Sequence, residues 1–274
     1  MNRAECNSVS LRYALEGDGG PTLVLVHEMG GGLESWDGVA PALARRFRVL
    51  RHDARGAGGS EKVRARFSLD DLRGDLDALL GRLGLPPPFH LVGAAMGAAV
   101  AVLFAGRHPG RVGSLVLLNP ATEVDEARAE SMRERAARIA AEGVRATLPL
   151  TLDRSWPPEA RDGSGAFERY RARYLGNDPH GLALLNDALA GVALADLPER
   201  IACPALVLAG AKDPIRPPEA VRAFAARVPR AVFDVLDTAH FMAAQAPAAL
   251  LERLLPFYDA AAVVSATPAG APRA

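Results

Sequence analysis

The sequence predicts an α/β fold: a mostly parallel central sheet, flanked by helices and interrupted by one helical insertion. Three observations carry this expectation. Short apolar runs alternate with helical patterns along the chain, the order of βαβ units. The middle runs are continuous in Val and Leu, as in strands buried on both faces. Several runs end in Gly-rich loops, and open α/β sheets place their sites at the C-terminal edge of the strands. A chain of 274 residues, 49% apolar, is long enough for one such domain with an insertion and a large core.

The elements follow in order. Expected strands are Leu11–Leu15, Thr22–His27, Phe47–His52, Phe89–Gly93, Val112–Asn119, Ala205–Ala209 and Val232–Leu236. The clearest helix starts at Ser68. Leu69, Leu72, Leu76, Leu79, Leu80 and Leu83 share one face of it. Ser68 with Asp71 forms a capping-box-like start, and Gly84 with Pro86 ends the helix. A second helix, Ala98 to Ala105, is apolar all round and so reads as buried. The last helix starts near Pro247, a good first-turn residue, and carries Leu250, Leu251, Leu254, Leu255 and Phe257.

Between Ala121 and Arg200 the βα rhythm stops. Charged helix formers from Glu123 to Glu142 are followed by loop signals at Trp156-Pro157-Pro158, Asp162-Gly163-Ser164-Gly165 and Asn177-Asp178-Pro179-His180-Gly181. The organisation expected is a core over residues 1–120 and 201–260, a helical cap over 121–200, and a disordered tail over 261–274, rich in Ala, Pro, Gly and Thr. There is no internal repeat.

Charge and cysteine usage narrow the function classes. Lys+Arg and Asp+Glu each number 32, so the formal net charge is zero. Neither nucleic acid nor an anionic membrane is an expected partner. Cys6 and Cys203 make no disulfide framework and suit a reducing compartment. The N-terminus lacks an apolar signal region, and the longest apolar stretch is too short to span a bilayer. The expected location is the cytoplasm. No metal-ligand cluster, Walker loop or dinucleotide fingerprint occurs, so neither cofactor nor metal is expected.

The most informative residues are Gly93-Ala94-Ala95-Met96-Gly97, between a strand end and the buried helix. Strand, Gly-x-Ser-x-Gly, helix is the nucleophile elbow that exposes a serine oxygen on a sharp turn. Here the serine position is Ala95, and a methyl group cannot attack a carbonyl. Three further motifs stand at strand ends: His27-Glu28-Met29-Gly30-Gly31, the loop from Asp53 to Ser60, and Ala209-Gly210-Ala211-Lys212-Asp213-Pro214. Thr238-Ala239-His240-Phe241 follows the last strand. Elbow, then Asp, then His is the chain order of the α/β-hydrolase triad.

Together these motifs resemble the α/β-hydrolase family over about residues 9 to 260. The resemblance is closest to small capped members such as the 3-oxoadipate enol-lactonases and the aminoacrylate-hydrolase-like group. It implies an α/β-hydrolase fold with a cap. It also implies that position 95 is the nucleophile position, His240 the base and Asp213 the acid that orients it. The N–H groups of Met96 and Met29 would form the oxyanion hole. Family members usually have Gly where Glu28 stands.

Weighed singly, these residues have blander readings. Asp213-Pro214 is also a common turn pair. Asp125, after the strand ending near Asn119, is a rival acid. Asp53 and Arg55 read as loop braces, and His27, His52, His90 and His108 as structural. Glu28, Trp156, His180 and Phe241 are expected to touch substrate. Arg128, Arg133, Arg135 and Arg138 read as a solvated helix face, with carboxylate binding as the alternative.

Three function classes remain. One is a serine-type hydrolase of a small ester, lactone or amide, acting through an acyl-enzyme and seen here with its nucleophile replaced by alanine. Another is a natural serine-less enzyme in which His240 and Asp213 act as general base on water or substrate. The third is a non-catalytic binding homologue. The retained Asp–His pair disfavours the last, because a pocket released from catalysis has no physical need of it. The expected partner is a small molecule, with a carboxylate-bearing one as an option; the oligomeric state is not encoded legibly.

Overall fold

The computed structural model describes residues 2–266. Eight strands form one sheet in the order β1-β2-β4-β3-β5-β6-β7-β8. They are β1 (Asn2–Cys6), β2 (Val9–Glu16), β3 (Thr22–Val26), β4 (Arg48–His52), β5 (Phe89–Ala94), β6 (Val112–Leu118), β7 (Ala205–Gly210) and β8 (Ala231–Leu236). β1 and β2, and β2 and β4, run antiparallel; from β4 through β3 to β8 every pair is parallel.

Among the described residues ten α-helices accompany the sheet: α1 (Ala40–Leu43), α2 (Leu69–Arg82), α3 (Met96–Arg107), α4 (Glu126–Glu142), α5 (Leu152–Ser155), α6 (Ala166–Leu175), α7 (Pro179–Ala190), α8 (Pro218–Ala225), α9 (Met242–Gln245) and α10 (Pro247–Ala266). The capping box of α2 forms as the sequence predicts: Ser68 Oγ accepts from the Asp71 N–H, and Asp71 accepts from the Ser68 N–H.

Alternation along β3 shows how the sheet separates two cores. Val24 and Val26 face one side with α2 and α3, whereas Leu23 and Leu25 face the other with Trp36, Leu43 and α10. All five residues of β3 are buried, which explains why such a strand reads as a continuous apolar run rather than an alternating one.

Two expectations need correction. β1 was not expected, because Asn2-Arg3-Ala4-Glu5-Cys6 is largely polar. It is an edge strand that buries only Ala4 and Cys6, and edge strands need one apolar face only. Its turn carries the missed signal: Asn7 and Ser8 both have positive φ, 49° and 62°, as in the two-residue turns that join twisted hairpin strands. At the other end α10 continues to Ala266, into the stretch expected to be disordered. Alanine is the strongest helix former, and Ala260 to Ala262 carry the helix on. The remainder of that tail, 267–274, lies outside the described residues, as does Met1.

α4 to α7 lie between β6 and β7 in the chain. They have a core of their own, built on Ile139, Leu148, Leu152, Trp156, Tyr170, Tyr174 and Leu182, with Phe241 joining from the β8 side. Among the described residues no helix is long and apolar enough to cross a membrane.

Candidate active site

Residues that follow β3, β5, β6, β7 and β8 line one cavity together with residues of the insertion. The elbow at the end of β5 is built by two glycines. A Cβ on Gly93 would lie 2.4 Å from the Gly97 carbonyl oxygen, and one on Gly97 would lie 2.2 Å from the Val26 carbonyl oxygen. Both positions therefore exclude any side chain, and strand, turn and helix close tightly on one another. The turn throws Ala95 into φ 48°, ψ −107°, a region costly for a residue with a Cβ. The neighbouring backbone holds it there: the Ala95 N–H donates to the Leu118 carbonyl at 2.9 Å, and its own carbonyl accepts from the Ala121 N–H at 3.1 Å.

His240 follows β8, and Asp213 follows β7. The His240 ring donates from Nδ1 to Asp213 Oδ2 at 2.7 Å. The other carboxylate oxygen accepts from the N–H groups of Ile215 at 2.7 Å and Arg216 at 3.1 Å. Three donors thus fix a buried carboxylate, and Nε2 is the ring nitrogen left to exchange a proton. The rival acid is used elsewhere: Asp125 is the N-cap of α4, accepting from the Arg128 N–H at 2.8 Å.

Sequence reasoning missed Asn119. This buried residue directly follows β6 and has φ 43°. It donates to the carbonyls of Ala239 at 3.0 Å and His240 at 3.1 Å, and accepts from the Gly210 N–H at 2.7 Å. It ties the histidine loop to β6 and β7. The available signal was an Asn just past a buried strand, a residue type enriched at positive φ.

Ala95, Met96, Met29, Glu28, His240 and Phe241 all line one cavity of about 280 Å³. Met96 opens α3, so its N–H belongs to the first helical turn, which lacks internal acceptors. Glu28 is buried under the insertion, and its Oε1 accepts from Ser35 Oγ at 2.6 Å and Tyr170 Oη at 2.5 Å. Burial, then the Glu28 charge, push the Tyr170 phenol well above its ordinary value, so it remains a donor. Tyr170 is on α6, so this bond joins the insertion to the loop after β3.

Two residues expected at the substrate lie elsewhere. Trp156 is buried within the insertion, edge-on to Phe167 and Tyr170, and donates from Nε1 to the Ala160 carbonyl. A segment that needs its own core takes its largest apolar side chain for packing. His180 stands in the first turn of α7 and borders a separate shallow cavity with Arg64, Arg66 and Asp187.

The bracing roles are visible in bonds. Asp53 is fully buried and accepts from Arg12 and from the N–H groups of Leu33 and Gly59. Burial alone would raise its carboxyl, but Arg12 reverses this and holds it below the usual range. Arg55 pairs with Asp75. His27 Nε2 accepts from the Ala54 N–H, which leaves Nδ1 to donate to the Glu28 carbonyl.

The outer wall of the cavity is cationic. Arg128, Arg135, Arg154 and Arg216 line it, beside Met132, Leu150 and Leu189. Arg133 and Arg138, on other faces of α4, pair in solvent with Glu126, Glu130 and Glu142. The seven-residue spacing from Arg128 to Arg135 puts those two on one helix face, a signal present in the sequence.

A family profile described as alpha/beta hydrolase fold matches residues 21–247. Over 244 residues the chain is 26% identical to 3-oxoadipate enol-lactonase 2 of Acinetobacter baylyi, covering 88% of this chain and 90% of that protein. The crystal structure of the enol-lactonase from Burkholderia xenovorans LB400 superimposes with a TM-score of 0.89 at 27% identity, covering 94% of this chain and all of that one. A shorter match, 44% identical over 117 residues, is to the dihydrolipoyllysine-residue acetyltransferase component of the acetoin cleaving system of Pseudomonas putida. It takes in 42% of this chain and 31% of that protein, so the chain spans about a third of that relative's length.

Proposed function

The chain belongs to the α/β-hydrolase family, and from that premise we propose that it is an acyl hydrolase of a small ester or lactone bearing a carboxylate. The insertion is its cap, and position 95 is the point of attack. The observation that carries the reading is the Asp213–His240 bond of 2.7 Å on a cavity that also holds the elbow. With serine at position 95, Oγ would attack the carbonyl while His240 Nε2 takes its proton. The N–H groups of Met29 and Met96 would meet the oxyanion, and the imidazolium would protonate the leaving oxygen. With alanine, everything but the attacking atom remains. The likeness to 3-oxoadipate enol-lactonase 2 supports a lactone or ester as substrate class, and the arginine wall of the cavity suits a carboxylate.

Ala95→Ser is therefore expected to create esterase activity on short p-nitrophenyl esters, with a burst of one product per enzyme. Loss of a triad serine costs about 10⁶-fold in kcat in a well-characterised protease, so the gain is large. A serine variant silent on short esters and lactones would overturn the reading.

Ala95 favours a second reading. A methyl group cannot attack a carbonyl, whereas His240 Nε2, with the ring oriented by Asp213, is left to act as base on water in a serine-independent reaction. Slow turnover by the chain as it stands, abolished by His240→Ala, would establish this route over the first.

A further inference from the structure

The cavity wall holds four guanidiniums, and its one carboxylate among the lining residues, Glu28, is bonded to Ser35 and Tyr170 rather than to any of them. Arg128 donates to the Ile215 carbonyl, Arg135 to Asn186 Oδ1 and Arg216 to the Glu123 carbonyl. Among the described residues none of these three, nor Arg154, forms an ion pair. Arg128, Arg135 and Arg216 are half-buried and Arg154 is exposed; by contrast the buried Arg12 pairs with Asp53 and Glu34, the buried Arg51 with Glu16 and Asp37, and the half-buried Arg55 with Asp75.

The four also repel one another. Burial, then the charge of Arg154, lowers Arg128; burial lowers Arg135, with Arg128 and Arg154 adding to it. Burial, then Arg128, brings Arg216 down to about 10. All three remain cations at neutral pH, and Arg128 is the member common to the set. The acidic groups near them are Asp213, already committed to His240, Glu28, bonded to Ser35 and Tyr170, and Asp125 and Glu123.

One guanidinium can hold a carboxylate in a two-pronged bond. Four unpaired ones around a cavity of about 280 Å³ exceed what a single carboxylate neutralises. We propose that the substrate of this cavity is a dianion, an ester or lactone carrying two carboxylates away from the scissile bond. Met132, Leu150 and Leu189 flank its carbon skeleton, and the arginines hold its acidic end. Arg128 and Arg135 are on α4 and Arg154 on α5, whereas Arg216 follows β7. The same dianion would therefore clamp the insertion to the sheet and offset the mutual repulsion of the arginines.

The inference rests on the proposed substrate cavity but not on catalysis, so binding to the unaltered chain tests it. Glutarate is butyrate with a second carboxylate on its terminal carbon. Calorimetry should show glutarate binding at least tenfold tighter, and saturating glutarate should raise Tm. Inorganic phosphate serves as the compact dianion and is expected to bind more weakly than glutarate. Equal affinities for glutarate and butyrate would overturn the proposal, and phosphate binding without glutarate binding would move the assignment to a phosphate ester.

Arg128→Gln and Arg216→Gln should each weaken glutarate tenfold or more while raising the Tm of the ligand-free protein. A merely structural arginine would lower that Tm instead, so this result too would sink the proposal. If Ala95→Ser hydrolyses neutral esters and glutarate does not bind, the dianion fails alone. If glutarate binds and the serine variant is inert, the hydrolase reading fails alone.

Discussion

At the scale of single residues, the question is which carboxylate serves the histidine, and geometry separates two that the sequence left as rivals. Asp213 receives the His240 ring and two backbone N–H groups. Asp125 receives the first turn of α4. In an Ala95→Ser background, Asp213→Asn is expected to cut kcat by about 10⁴, because the amide cannot hold the ring in the tautomer the reaction needs. Asp125→Ala should leave kcat within a few-fold and instead lower stability by about 1 kcal/mol through the lost cap. Steady-state kinetics and thermal unfolding of the two variants check both halves, and the opposite ranking would move the acid to Asp125. The sequence identified Asp213 and His240 through strand-end motifs in order. It could not place Arg154 or Arg216 at the cavity, because nothing local distinguishes an arginine facing inward from one facing water. Trp156 and His180 misled for a related reason: both sit in loop-forming sequence, yet one side chain turned into the insertion's core and the other away from the cavity.

At the scale of elements, the strand–elbow–helix unit is where sequence and structure agree most closely. Its glycines are required by contacts a strict motif already encodes: the backbones of β3, β5 and α3 approach closer than any Cβ permits. Gly97→Ala is expected to cost several kcal/mol, since the obstacle is the Val26 carbonyl rather than a movable side chain. Gly81→Ala supplies the contrast. Gly81 is exposed inside α2 and nothing lies within 4 Å of its added Cβ. That substitution should stabilise the protein by about 0.5–1 kcal/mol through helix propensity and the entropy of the unfolded chain. Denaturant unfolding of the pair tests the reasoning, and equal effects would show that the elbow tolerates rearrangement. The parallel strands were legible because burial on both faces removes every polar residue from their middle. β1 was not, because one solvated face and one edge leave it only two buried side chains.

At the scale of the whole molecule, the sheet brings groups from distant parts of the chain into one buried polar layer, and this layer sets the response to acid. His27 and His52, at the ends of β3 and β4, have ring centroids 6.5 Å apart. No sequence pattern announced that contact, which exists only because β3 and β4 pair in parallel register. His52 is buried, and its Nδ1 has no hydrogen-bond partner. Burial lowers its pKa from 6.5 to about 4. In the unfolded chain the ring takes a proton below about pH 6.5; in the folded protein it does so only near 4. The folded state therefore loses stability as pH falls through that window and keeps it above. A shift of this size corresponds to about 3 kcal/mol. Unfolding free energy measured from pH 7 to 4 should fall by roughly that amount from this group, on top of the carboxylate contributions. His52→Leu should flatten the profile between pH 6.5 and 4 whatever its effect on absolute stability. The titration of the His52 ring in the unaltered protein, followed by NMR, gives the same answer independently. A midpoint near 6.5 would show that the ring is hydrated and that this layer does not govern acid stability.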